Sequence, residues 1–457
     1  MINEISMPAV LFALCGGLWS VTATAAEPWR INTASGLPGW LSISGQHRAR
    51  YETLDNQFRN VRNGGDQALM FRTNILAEMR FAQVKFGVEM LDSRVQLADS
   101  GTPLSTNDVN PLDLLQVYAD VAIDNLITAG SKGVLRGGRM TMDIGSRRFV
   151  ARNSFRNAIN AFTGVDWQWT GPAQNNFRAF YTLPVQRLVD GNPLDNEPEL
   201  DRQHDEVRFW GVYYAPAKLP WGDKGEIYLL GLNEDDTPDL ATSNRELYTA
   251  GVRIYRQPAA GQFDYQIESA FQFGESRASV AAMDITDLEH FAHFQHAEIG
   301  YTFAAQWSPQ LLLLYDYASG DDSDTDGDNN GLDTLFGARR FDFGPTSIYG
   351  AFTRSNTSTP GLRLNLKPVT DVGAAIVLRG FWLADDDDAW TTARIKNPDG
   401  STENFIGMQI EAGLRWDVIP KNLQLEMGVA CLFAGDFMTN AGKDDTTYFY
   451  SQLNLSF

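Results

Sequence analysis

The chain has little cysteine, little lysine and no long apolar run beyond its first residues. Two cysteines among 457 residues exclude a disulfide-stapled scaffold. After the N-terminal two dozen residues no uncharged apolar stretch reaches the ~18 residues that a membrane-crossing helix needs. Positive charge is also short: 37 Lys and Arg stand against 57 Asp and Glu, a formal net charge of −20. That balance disfavours nucleic acid as a partner, because counterion release requires a basic face. Apolar residues are not scarce. With 43% hydrophobic and 12% aromatic residues, the chain is too rich for an acidic disordered tail. No Gly-x-Ser-x-Gly elbow or other nucleophile–base arrangement occurs, so no enzyme is expected.

The N-terminus reads as an address. Residues 9–19 are apolar, and Ala23-Thr24-Ala25 and Thr24-Ala25-Ala26 offer small-x-small cleavage sites before Glu27-Pro28. We read 1–26 as a secretory signal and 27–457 as one domain, although Met1–Pro8 carries Glu4 and no Lys or Arg. Lipidation at Cys15 is the lesser alternative, since Leu14 stands where a small residue belongs. Signal removal leaves Cys431 alone, so backbone hydrogen bonds and packing must hold the exported domain together.

After residue 40 the dominant period is two. Leu41, Ile43, Gly45, Ala49 and Tyr51 alternate with Ser42, Ser44, Gln46, Arg48, Arg50 and Glu52; Ile406, Met408, Ile410, Ala412, Leu414 and Trp416 alternate with Gln409, Glu411, Arg415 and Asp417. Nineteen such segments are candidates: 41–52, 68–81, 83–92, 114–122, 133–144, 157–170, 175–183, 206–215, 225–232, 246–256, 263–273, 294–304, 309–317, 346–353, 361–367, 370–384, 404–417, 422–434 and 446–456. Most are longer than the usual globular strand and suit a tilted strand in a bilayer. Bacterial barrels have even strand numbers, so 346–353, the weakest, is taken as a loop, a plug or part of a bent strand. The expected fold is all-β, a transmembrane antiparallel barrel of about 18 strands with long acidic external loops. A secreted β-sandwich also alternates, but it buries its inner face and has no use for so much charge there. Trp167, Trp169, Trp210, Trp382, Trp416 and Tyr448 fall near strand ends, where interfacial girdles sit. Short links such as 82–83, 171–173 and 420–422 suit periplasmic turns; 93–113, 184–205, 233–245, 318–345, 385–403 and 435–445 suit external loops.

The charge separates by position. Twenty-one acids lie in five loop clusters, within 190–201, 234–239, 321–333, 385–388 and 444–445, leaving 36 acids against 37 bases elsewhere. Those bases are 29 Arg and 8 Lys. Arg48, Arg50, Arg72, Arg80, Arg139, Arg178, Arg208, Arg253, Arg363, Arg379 and Arg415 fall on polar faces of the candidate strands. In a lumen they either guide anions, which guanidinium forks bind bidentately, or pair with acids such as Glu52, Glu78, Glu89, Asp120, Asp143, Glu268 and Glu411. We expect pairing for most.

Two blocks carry a family resemblance. One is Leu135-Arg-Gly-Gly-Arg-Met-Thr-Met-Asp-Ile-Gly-Ser-Arg-Arg148, with Arg152 and Asp166-Trp167 after it. The other runs from Tyr317-Ala-Ser-Gly-Asp-Asp322 through Leu335-Phe-Gly337 and Phe343-Gly-Pro345 to Arg354-Ser-Asn356. With the terminal Phe457 they resemble the alginate export family of outer-membrane barrels over residues 40–457. The family's usual Gln, Tyr and Asp near the first block are absent here, where Gly138-Arg139-Met140 and Ile144-Gly145-Ser146-Arg147 stand, but Arg139 and Arg147 keep register. The resemblance implies a bacterial outer-membrane channel that passes an anionic polysaccharide such as alginate through an arginine-lined pore. On that basis Arg139, Arg147, Arg148 and Arg152 are the first candidates for the pore, followed by Arg48, Arg50, Arg72 and Arg363. Implied partners are lipid, lipopolysaccharide, the barrel-assembly machinery acting on the last strand, and the saccharide itself. A substrate-specific uptake porin for small anions or oligosaccharides, and a surface-display or adhesin-type barrel, are the alternatives.

No cofactor is required by any of these readings. Asp322, Asp324, Asp326, Asp328 and Asp333, with Gly327 at the sixth position, follow a calcium-loop spacing, but a solvated acidic loop explains the same residues. His290, His293 and His296, spaced by three, would share a face on a helix and could then ligate zinc; on a strand that spacing alternates faces.

Overall fold

In a computed structural model the described residues are 28–457 apart from 61, 63, 189, 190, 239, 324 and 398–401. The signal segment and Asp324 therefore lie outside the described residues. Short turns force alternating segments to pair with their neighbours in sequence, and repeated hairpins build the wall. Its strands are β1 Leu41–Asp55, β2 Asp66–Phe81, β3 Val84–Gln96, β4 Asn110–Ala122, β5 Lys132–Met140, β6 Phe162–Thr170, β7 Asn176–Gln186, β8 Val207–Ala215 and β9 Lys224–Glu234. They continue as β10 Glu246–Arg256, β11 Gln262–Ser276, β12 Leu288–Thr302, β13 Gln310–Ala318, β14 Thr357–Val369, β15 Val372–Trp382, β16 Phe405–Ile419, β17 Leu423–Ala434 and β18 Thr446–Ser456. Strand β18 returns to β1, antiparallel from Gln46↔Ser456 to Asp55↔Thr447. The result is a closed 18-stranded antiparallel barrel with no free edge. Two-residue pairings at Arg202–Gln203 and Asp328–Asn329 are additions to β7 and β12, outside the wall.

The two faces of the wall decide its solvent. Arg48, Glu52, Glu268 and Asp316 are buried on the inside, whereas Ile75, Phe271, Leu313 and Leu453 are exposed on the outside. A soluble sandwich would show the reverse; an apolar exterior and a charged interior are the arrangement that lipid requires. Phe449, Leu453 and Leu455 face outward together on β18, as the alternation predicts. Glycine serves close approach at a few wall positions. A Cβ at Gly428 would lie 2.3 Å from the Tyr450 ring, so glycine lets that ring lie flat across the neighbouring strand.

Some boundaries differ from the sequence reading. Strand β5 stops at Met140 and β6 starts at Phe162, so 141–144 and 157–161 are not strand. Left-handed backbone at Gly145, Arg147 and Asn153 breaks the extended run there. Segment 346–353 forms no strand: Ile348, Tyr349, Ala351 and Phe352 are buried among loops, with Phe352 stacked on Phe381 and on Trp390. Tyr448 is no girdle residue. It shares the inward parity of Tyr450, is fully buried and stacks on Tyr349 at 5.2 Å between ring centroids.

Candidate functional site

Two long connections at the end carrying the longer loops do not stay outside the barrel. Segment 141–161, between β5 and β6, and segment 319–356, between β13 and β14, fold into the lumen and narrow it. Irregular backbone in such a place needs partners for its carbonyls, and wall arginines supply them. Arg48 donates to the carbonyls of Ser154, Phe155 and Arg156 at 2.9–3.0 Å and to Asn157 Oδ1. Arg72 donates to Ser154 and Arg156 at 2.7 and 2.8 Å. Arg50 donates to Phe155 at 2.7 Å and pairs with Glu52 at 2.8 Å. Asn157, fully buried, donates to the carbonyls of Phe71, Arg94 and Asp108.

The two inward segments are joined to each other. Phe336 N–H donates to the Phe149 carbonyl, Ala151 N–H to Phe336 and Ala338 N–H to Arg147, all at 3.0–3.1 Å. Beneath this junction lies a buried ion network. Arg148 holds Asp342 with two bonds of 3.0 Å and Glu268 at 2.7 Å. Arg354 also donates to Asp342, Arg379 pairs with Asp316 at 2.8 Å, and Asp316 meets His296 Nδ1 at 2.6 Å. Burial alone would raise the Asp342 carboxyl, but Arg148 and Arg354 hold it well below the usual carboxylate range. Ligand atoms of His296, Asp316 and Asp342 lie within 4.8 Å of one another, yet three guanidiniums already neutralise that group, so its chemistry is that of a structural ion lattice.

Each residue expected in the pore can now be placed. Arg48, Arg50, Arg72 and Arg148 are buried with the partners just given, and they hold the inward segments. Arg152 grips Glu89 at 2.6 and 3.1 Å. Arg139 donates to the Leu114 and Asp201 carbonyls at 3.1 and 2.9 Å. Arg363 donates to the Phe341 carbonyl at 2.7 Å and lines a lumen cavity of about 720 Å³. Arg147 is exposed, its guanidinium lies over the Phe341 ring at 5.3 Å, and that guanidinium has no hydrogen-bond or ion-pair partner among the described residues. The other strand arginines mostly pair: Arg178 with Asp166, Arg208 with Asp235, Arg253 with Glu226. In the acidic loop Asp333 is taken up by Arg245 at 2.6 Å and Asp322 accepts from Asn330. Asp326 accepts from the Asp328 N–H, and Asp328 itself adds to the β12 edge. His290 and His296 point inward.

Sequence reasoning missed a second group because it searched strand faces. Arg59, Arg62, Arg156, Arg339 and Arg394 come from loops and line a cavity of about 450 Å³ in which Asp108 is the one acid among the described residues. Burial, with Arg156 and Arg59 beside it, pushes the Arg339 guanidinium down to about 9. Burial and Arg62 push Arg59 down to about 10. These groups stay charged at neutral pH and lack enough counter-charge, which makes the cavity a place for an anion. Only the position of Arg339 between the Leu335-Phe-Gly337 and Phe343-Gly-Pro345 stretches could have flagged it.

Comparison with known proteins agrees with this architecture. OccK9 (OpdG) of Pseudomonas aeruginosa superposes with a TM-score of 0.60 at 12% identity, over 91% of this chain and 98% of that one. OccAB1 of Acinetobacter baumannii gives 0.58 at 14%, over 91% and 96%. OccK2 (OpdF) of Pseudomonas aeruginosa, solved with glucuronate, gives 0.53 at 13%, over 91% and 96%. No curated protein matches the sequence. The alginate export family matches residues 39–451, nearly the whole chain. With its closed wall, apolar exterior and narrowed, charged lumen, this chain belongs to the alginate export family of outer-membrane barrels, a membership that points to a channel rather than an enzyme.

Proposed function

We propose that the barrel passes an anionic polysaccharide of uronate type, alginate being the model cargo, with arginines in the narrowed lumen as its guides. The observation that carries this is the loop-derived cavity where five arginines face one acid. Fixed guanidiniums lower the cost of taking carboxylates out of bulk water, and the acids Glu411 and Glu426 along the second cavity keep binding weak enough for release. Within this reading Arg139, Arg147, Arg152 and Arg363 meet the cargo, and Arg48, Arg50, Arg72 and Arg148 set the shape of the path. The acidic loop clusters contact lipopolysaccharide through divalent cations, and the last strand, ending at Phe457, is the handle for the barrel-assembly machinery.

A second reading rests on the glucuronate in the OccK2 structure. The same charges would serve uptake of small uronates. Planar-bilayer recordings separate the two. Export of a polymer predicts anion-selective conductance with long-lived block by oligouronates. A cation-selective pore that ignores uronates would sink both readings, and block by monomers alone would favour uptake.

A further inference from the structure

An arginine path explains attraction of any anion and leaves open how a sugar ring is told from a simple carboxylate. The tip of the second inward segment offers a second kind of contact. Phe341 belongs to a short helical turn, Arg340–Phe343, and lines the 720 Å³ lumen cavity together with Arg363. Its neighbours in the turn, Asp342 and Phe343, are buried, whereas Phe341 itself is only partly covered. The turn is fixed on several sides. Arg340 donates to Glu411 at 2.6 Å and to the Tyr450 hydroxyl at 3.0 Å, Asp342 is locked to Arg148, and the Phe341 carbonyl accepts from Arg363. A large apolar side chain is thus held rigidly at the edge of a charged path, with part of its ring left open. Three guanidinium groups surround its ring. Two of them, Arg148 and Arg354, are buried and already ion-paired. The third, Arg147, is exposed and held by the ring alone among the described residues.

We propose that Phe341 and Arg147 form a two-part subsite that reads the ring and the carboxylate of one passing uronate unit together. This rests on the barrel being a path for anionic polysaccharide. A pyranose uronate carries an apolar face of weakly positive C–H groups and one carboxylate. The negative face of an aromatic ring suits the former. The latter is a better partner for a guanidinium than the ring on which Arg147 rests. As a unit arrives, Arg147 moves from ring to carboxylate and frees the aromatic face for the sugar. Cation–π contact at an exposed site is weak, so the exchange costs little and the pore can turn over.

The test measures oligouronate block in planar bilayers against block by citrate, which has carboxylates and no ring. In Phe341→Leu, oligouronate affinity is expected to fall about tenfold relative to citrate affinity, and Phe341→Trp is expected to restore the ratio. An unchanged ratio in Phe341→Leu would overturn the subsite, and so would equal loss for both blockers, which marks a displaced loop. Wild-type pores indifferent to oligouronates would overturn the transport reading itself, a result visible before any substitution is made.

Discussion

At the scale of the residue, adjacent arginines do different work. Arg147 and Arg148 are neighbours in sequence and opposites in setting: one is exposed on an aromatic ring, the other is buried between Glu268 and Asp342. Removing the buried one takes from Glu268 its ion-pair partner and leaves Asp342 with Arg354 alone of its two guanidiniums. Arg148→Ala is expected to cost about 3–5 kcal/mol, read from denaturant unfolding of the detergent-folded barrel. Arg147→Ala is expected to change stability by less than about 0.5 kcal/mol while lowering anion preference in reversal-potential measurements. Equal destabilisation by the two would show that the difference in setting has no energetic meaning. The sequence marked both as matched positions of one motif and had no way to separate them, because burial of a loop arginine depends on which distant acids the fold brings to it.

At the scale of the element, the wall was legible and the inward segments were not. Period-two alternation is local, so eighteen strands could be read residue by residue. Segments 141–161 and 319–356 are held by contacts more than a hundred residues apart, such as Arg48 to Ser154 and Arg148 to Asp342, which no local pattern encodes. Another connection, 187–206, is pinned by Asp201, whose carboxylate accepts from the Leu188 N–H at 3.0 Å and from Asn110 at 2.7 Å. Burial, then the nearby Asp113, raises the Asp201 carboxyl to about 6. A carboxyl raised on folding favours the pinned state below its ordinary value of 3.8, and that contribution is lost as pH climbs through about 6. Hydrogen-exchange protection at Leu188, corrected for intrinsic rate, is therefore expected to be about tenfold greater at pH 5 than at pH 8. Asp201→Asn should abolish the difference. A pH-independent protection factor in the unaltered protein would refute the coupling.

At the scale of the whole molecule, a net charge of −20 coexists with an arginine-rich cavity among the loops because the two occupy different places. Acids gather in the loop clusters, while Arg59, Arg156 and Arg339 crowd one loop-lined cavity. On the proposed function, selectivity follows the field of that cavity and not the net charge. That field is screened by salt over about 10 Å at 0.1 M and about 3 Å at 1 M. Anion-over-cation permeability is expected to fall several-fold between those concentrations, and replacing Arg339 and Arg156 together by Ala should flatten the dependence. Selectivity that ignores ionic strength would place its origin elsewhere than in that cavity.

The sequence by itself determined that the chain is a barrel, how many strands it has, which face of each meets lipid, and which family it resembles. All of these rest on local alternation and on short motifs. Only the tertiary structure decided which arginines are structural and which stand free. Pairing inside a lumen is a matter of three-dimensional proximity: Asp342 lies 194 residues from the Arg148 it neutralises, and Arg147 is left without such a partner by one step along the chain.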